Sequence, residues 1–187
     1  MAEGAPQMRR VVVGNNQGGQ SCVLYDSAAV NLKPDPARPG GGMIEMWCFN
    51  NVPVSLAGER DDGLPPFNVH APQQGAYLRF VNSFMASPGY DVSQDPNAVP
   101  LHDPIEDPVL ERGDRGGKHA GMSGMHKTRS LDYGFLARGA RSLVLDDSET
   151  AMAPGDFCVQ LGNYHAWANR TDDSLMGYVM IGADFNA

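Results

Sequence analysis

Apolar and polar residues alternate along this chain in short runs with a period of two, the spacing of half-buried strands rather than helices. Arg9-Arg10-Val11-Val12-Val13 predicts a strand, Asn15 to Gly19 a turn, and Ser21 to Tyr25 the returning strand of a hairpin. Lys33 to Gly42 is a Pro/Gly loop, after which Met43 to Phe49 and Ala76 to Val81 predict two more strands. Beyond Met125 the strand signals become dense: Tyr133 to Ala137, Ser142 to Leu145, Phe157 to Gln160, Ala166 to Asn169 and Leu175 to Ile181. Spacing of about 8–12 residues with turn formers between the runs is the mark of an antiparallel sandwich or barrel.

One stretch breaks the pattern. Between about Ser87 and Gly124 the chain holds Pro88, Pro96, Pro100, Pro104 and Pro108, many acids, and then Gly113, Gly116, Gly117, Gly121 and Gly124. So long a connection is either a solvated connector or a lid over a pocket. Pro104 to Arg112 has room for one helical turn.

Composition narrows the function classes. With 187 residues the chain has the length of one domain, and 22 Gly with 14 Pro favour turns over long helices. A net charge of −8 argues against nucleic acid and anionic membranes, since 14 Lys and Arg are too few to neutralise phosphates. No apolar run reaches membrane-spanning length, and Met1 to Pro6 lacks the basic start of a signal peptide, so a cytoplasmic location is expected. Cys22, Cys48 and Cys158 are too scattered for a zinc knuckle or a disulfide framework, and read as small core residues in a reducing compartment. No strand-to-helix glycine loop binds phosphate here, and Cys158 sits mid-strand without the setting of a nucleophile.

The candidate chemistry lies in two segments. The first is Met125-His126-Lys127-Thr128-Arg129-Ser130-Leu131-Asp132-Tyr133-Gly134, with Gly139 after it. The second is Pro154-Gly155-Asp156, followed by Gln160 and Gly162-Asn163-Tyr164-His165-Ala166-Trp167-Ala168-Asn169. Together they resemble the two motifs of the cupin superfamily. His126 stands at the first His of motif one, Thr128 where the second His would be, Asp132 where a Glu would be, and Gly139 at the Gly. In motif two Gly155-Asp156 matches the turn, and Gly162, His165 and Asn169 match, while Gln160 stands one residue early for the Pro. The resemblance covers about Gly121 to Asp184.

It implies an all-β fold, a single RmlC-like jelly-roll cupin barrel with an N-terminal strand extension and a long Pro/Gly-rich loop. Residues 121–187 would be the barrel core, with 1–120 supplying strands and an acidic loop packed on it, all as one domain. It also implies a homodimer. A complete cupin gathers three His and one Glu around a transition metal, and this chain keeps two His and one carboxylate.

His126, Thr128 and Asp132 share strand parity, so all three can face the barrel interior, where His165 meets them from a neighbouring strand. Three readings stay open. His126, His165 and Asp132 could hold one divalent metal (Fe, Zn or Mn) as a 2-His-1-carboxylate set suited to Fe(II). Without a metal, one His could be a general base oriented by Asp132. Or the two His could simply be hydrogen-bonded interior residues. Thr128, Gln160, Trp167 and Asn169 are the expected pocket residues, Trp167 as a flat apolar wall or a core residue. Tyr133 and Tyr164 have the parity to point outward, and Arg129 reads as surface. His70, His102 and His119 are expected in solvent. Met122, Met125, Leu143 and Leu145 read as core.

The function expected is acid/base chemistry on a small carbonyl-bearing or phenolic, polyketide-like metabolite: dehydration, isomerisation or decarboxylation. An Fe(II) dioxygenase and a non-catalytic small-molecule-binding protein are the alternatives.

Overall fold

The computed structural model describes residues 7–35, 40–84, 89, 91, 94, 105–107, 112–115, 123–171 and 173–185. Every long element in it is a strand. A hairpin of β1 (Arg9–Asn15) and β2 (Ser21–Ala28) stands apart as a two-stranded sheet. Its turn is fixed by Asn16, whose side-chain oxygen accepts from the backbone N–H groups of Gly18 and Gln20.

The main sheet has six strands. In spatial order these are β12 (Phe157–Leu161), β9 (Ser130–Arg138), β14 (Ser174–Gly182), β5 (Ala76–Ser83), β4 (Gly42–Phe49) and β3 (Asn31–Pro34). Strands from both halves of the chain therefore share one sheet, with β5 paired directly to β14 from Ala76↔Ile181 to Ser83↔Ser174.

The opposite wall is built from β11 (Glu149–Met152), β10 (Arg141–Val144) and β13 (Ala166–Asn169). A bridge between His126 and His165 joins it to a second group, β6 (Ile105–Asp107), β7 (Arg112–Asp114) and β8 (His126–Lys127). The expected helical turn at Pro104 to Arg112 is therefore corrected: its described residues are two antiparallel strands, with Ile105 opposite Asp114. Pro108 has no N–H to donate into a helix. Most of the rest of the expected lid or connector, Met122, His102 and His119 included, lies outside the described residues.

Alternation does the sorting inside. On β9, Ser130, Asp132, Gly134 and Leu136 are buried and the residues between them are less so. Leu136 packs with Met152, Trp167, Met176 and Tyr178, and Leu143 and Cys158 lie against that cluster. A second apolar cluster, Ala29, Ile44 and Met46, takes in Met8, Leu32, Leu78 and Phe80. All three cysteines are free, Cys48 buried and the other two half-buried. Among the described residues no helix is long and apolar enough to cross a membrane.

Gly139 turns the chain from β9 into β10 at φ +78°. A Cβ there would meet the Asp173 carbonyl oxygen at 2.2 Å and Thr171 Oγ1 at 2.7 Å. Gly139→Ala is therefore expected to cost about 1–3 kcal/mol in urea unfolding. A wild-type midpoint would contradict the turn geometry.

Candidate functional site

His126 and His165 face each other. Their backbones exchange two hydrogen bonds, N–H to C=O in each direction, both 2.9 Å. Directly opposed residues of an antiparallel pair project to the same side. The two imidazoles accordingly lie 4.5 Å apart between ring centres, tilted by 52°.

Each ring is held by its own loop. His126 Nδ1 lies 2.7 Å from the Gly124 carbonyl oxygen, and His165 Nδ1 lies 3.0 Å from the Asn163 carbonyl oxygen. A carbonyl only accepts, so each Nδ1 carries a proton, and in the neutral ring Nε2 then holds the lone pair. Burial, with neighbouring His126 adding to it and the Asn163 carbonyl opposing, pushes His165 down to about 3. His165 is thus neutral at physiological pH.

Asp132 enters differently from expectation. It does not hold either Nδ1, because both are engaged by backbone carbonyls. Among the described residues, no three His, Cys, Asp or Glu side chains converge as a metal cluster. Among the described residues, the expected set of His126, His165 and Asp132 is not drawn together. The reason is placement. Asp132 stands on β9 between Gln160 and Met180 in the main sheet, whereas the imidazoles sit where β8 meets the opposite wall.

Asp132 is 3% exposed. Burial raises its carboxyl to about 6, against a smaller downward pull from the Ser130 hydroxyl. The Thr128 hydroxyl lies 2.9 Å from that of Ser130, so Thr128, Ser130 and Asp132 follow one another on the inward side. Gln160, opposite Asp132 in register, is 2% exposed and faces inward as expected.

The sign of the pH effect follows. The folded value lies above the ordinary carboxylate value of about 4, so between pH 4 and 6 the native state holds the proton more tightly than the unfolded chain. Stability then falls as pH rises through that window. Asp132→Asn removes the effect, and is expected to gain on wild type by on the order of 2 kcal/mol between pH 4 and pH 7. Urea unfolding at the two pH values measures this. An identical difference at both would show that Asp132 titrates normally.

Two expected pocket residues have partners of their own. Asn169 is tied into the structure, donating to the Thr171 carbonyl at 2.5 Å and accepting from Ser174. It lies four residues along from His165, roughly 13 Å at strand rise. Trp167 is in the apolar core and borders His165, its ring centre 6.4 Å from that of His165 and 5.9 Å from that of Tyr178. Tyr133 stacks near Phe157, and Tyr164 lies under Arg115, 4.0 Å from the guanidinium to the ring centre. Arg129 pairs with Asp184. His70 is half-buried rather than in open solvent.

One polar group went unnoticed in the sequence. Glu45 and Arg79, opposed in register on β4 and β5, form a buried ion pair. Arg79 also reaches the Asn68 and Val69 carbonyls and lies 3.8 Å from the Tyr77 ring centre. Tyr77 donates to the Met180 sulfur at 2.8 Å. Burial pushes the Tyr77 phenol up; Arg79 opposes it and Asp132 adds to it, so this group borders on Asp132. A charge in the middle of each apolar strand, Glu45 and Arg79, was the available signal.

No protein-family model matches the sequence. Among curated proteins the chain is 46% identical over 52 residues to the phomopsin biosynthesis cluster protein D of Diaporthe leptostromiformis, covering 27% of this chain and 28% of that protein. It is 40% identical over 55 residues to the cupin-domain-containing oxidoreductase fogC of Aspergillus ruber, covering 29% of this chain and 27% of that one. The matches thus span less than a third of these relatives' length. Among solved structures, a cupin 2 conserved barrel domain protein from Rhodopseudomonas palustris is 12% identical over 94% of this chain and 83% of that one, with a TM-score of 0.43.

Proposed function

We propose, from the premise that this chain is a cupin, that it binds a small carbonyl-bearing or phenolic metabolite between its two sheets and moves a proton on it. The observation that carries this reading is the imidazole pair, whose Nδ1 protons are both spent on backbone carbonyls. Two ring nitrogens bearing lone pairs are thereby fixed side by side. His165, held near 3, is too weak a base to take a proton near neutrality, so that role falls to His126. His165 is a positioning residue that keeps the His126 ring in place.

The step balances without any co-reactant. The C–H bond next to the carbonyl breaks, its proton passes to His126 Nε2, and the electron pair moves to the carbonyl oxygen. Asp132, whose carboxyl is raised to about 6, is largely ionised near neutrality and donates no proton in this step. Return of the proton to another carbon gives isomerisation, and loss of a β-hydroxyl gives dehydration.

A second reading, oxidation, is favoured by the printed names of three curated relatives, all cupin-domain-containing oxidoreductases. Such a reaction on a metal would need ligands beyond His126 and His165.

Deuterium uptake separates the two. Incubated in D2O with 3-hydroxy-2-butanone or 2-butanone, the protein is expected to speed exchange at the carbons next to the carbonyl, in the presence of chelator. No acceleration over buffer, together with stoichiometric bound iron and oxygen consumption, would overturn the proton-transfer reading.

A further inference from the structure

The outer face of the main sheet is apolar at its β12 end. Register sets Phe157, Val159 and Leu161 of β12 opposite Phe135, Tyr133 and Leu131 of β9, and directly opposed residues project to one side. The same rows run on to Gly177, Val179 and Ile181 of β14. On β9 these positions alternate with the buried Asp132, Gly134 and Leu136, so they face outward. An antiparallel sheet with one side in water usually carries polar residues on that side. None of these residues is charged. Further along the sheet the same face is covered, since Leu78 and Phe80 of β5 pack with Ala29, Ile44 and Met46.

The bare part has two levels. Along β12 the side chains stand clear: Phe157 is 59%, Val159 54% and Leu161 80% exposed. Over β14 the surface is low. The Phe135 ring lies across Gly177, where a Cβ would meet it at 2.3 Å, and Val179 and Ile181 are half-buried. A ridge beside a trough is its own complement under a two-fold axis parallel to the strands, because the rotation brings each ridge over the other copy's trough. Charge is confined to the rim, with Arg129–Asp184 beyond one end of the strands and Arg138–Asp173 beyond the other. An uncharged centre within a polar rim is the composition of a protein interface. The exposed apolar area is roughly 600 Å² per copy, as large as the largest patch on an ordinary monomer. Two such faces closed on each other bury about 1,200 Å², enough for a specific dimer.

We propose that this face joins two copies of the chain, the β12 ridge of each seated over β14 of the other. The occupant is a second copy rather than a lipid surface, because a net charge of −8 sets the chain against anionic headgroups while the uncharged face lets two copies meet. The contact leaves the β1–β2 hairpin free and lies on the opposite side of β9 and β12 from the buried Asp132 and Gln160.

Sedimentation of the full chain over a range of concentrations tests this. The wild type is expected to reach twice the mass of the single chain at micromolar concentration. Val159→Lys and Leu161→Glu are each expected to weaken the dimer at least about 100-fold, the effect of closing an apolar contact over an unpaired charge. Both sites are exposed in the single chain, so the circular dichroism of each variant is expected to stay that of wild type. Val13→Lys puts its charge on the hairpin, at a position 69% exposed, and is expected to leave the dimer intact. A wild type that stays monomeric at high micromolar concentration would overturn the proposal, whether or not it binds phosphatidylcholine vesicles. So would a dimer that Val13→Lys dissociates and the two sheet variants do not. Hydrogen exchange of the wild type needs no variant. From dilute to concentrated protein the amides of Phe157–Leu161 are expected to slow, and those of Arg9–Asn15 to keep their rate. The reverse pattern would place the contact on the hairpin and contradict this face.

Discussion

Arg79→Met is expected to destabilise the chain by about 3–5 kcal/mol, a large share of the 5–15 kcal/mol that holds a typical domain together. The substitution keeps an unbranched apolar stem, shorter than the arginine, and removes its charge. Glu45, 1% exposed, would then be a buried carboxylate without its counter-charge. The Asn68 and Val69 carbonyls would lose a donor, and the Phe67 and Tyr77 rings the cation that lies 4.2 and 3.8 Å from their centres. The double change Glu45→Leu with Arg79→Met separates the causes. A buried ion pair replaced whole by apolar residues is often near neutral, so the double variant is expected to recover most of the loss. A single variant within 1 kcal/mol of wild type in urea unfolding would show that the pair is not buried as described.

His126→Ala is expected to slow deuterium exchange by about 10²- to 10⁴-fold, the usual contribution of a positioned general base. His126 is only half-buried and its ring sits at the joint between β8 and the opposite wall, so the fold is expected to survive. His165→Ala should behave differently. It removes a buried ring packed against both His126 and Trp167, so stability is expected to fall along with the rate. Urea unfolding alongside the exchange rate distinguishes the two roles. Exchange at the wild-type rate in a folded His126→Ala protein would remove the base assignment.

Much of the fold was legible because alternation of period two is local. The runs at Met43 to Phe49, Ala76 to Val81 and Leu175 to Ile181 each became a strand of the main sheet. Ile105–Asp107 and Arg112–Asp114 were not legible, since three-residue strands among prolines and glycines carry no period. The site was legible in part for the same reason. Parity says which side of a strand a residue faces, and it correctly turned Asp132 inward. Parity does not say which wall of the barrel a strand belongs to. That is why Asp132 was expected beside the two imidazoles and stands instead on the main sheet, next to Gln160. Glu45 and Arg79 are 34 residues apart and meet only through register, which no single strand reveals.

The central claim is that both imidazoles carry their proton on Nδ1 and present Nε2 as a lone pair. Long-range ¹H–¹⁵N correlation spectra of the ¹⁵N-histidine-labelled protein at pH 7 read this directly, with His126→Ala and His165→Ala assigning the signals. The account predicts that His126 and His165 each show a protonated Nδ1 and an unprotonated Nε2. A proton found on Nε2 of His126 would contradict it, because that ring could then neither take a proton from a ligand nor be held by the Gly124 carbonyl as the structure has it.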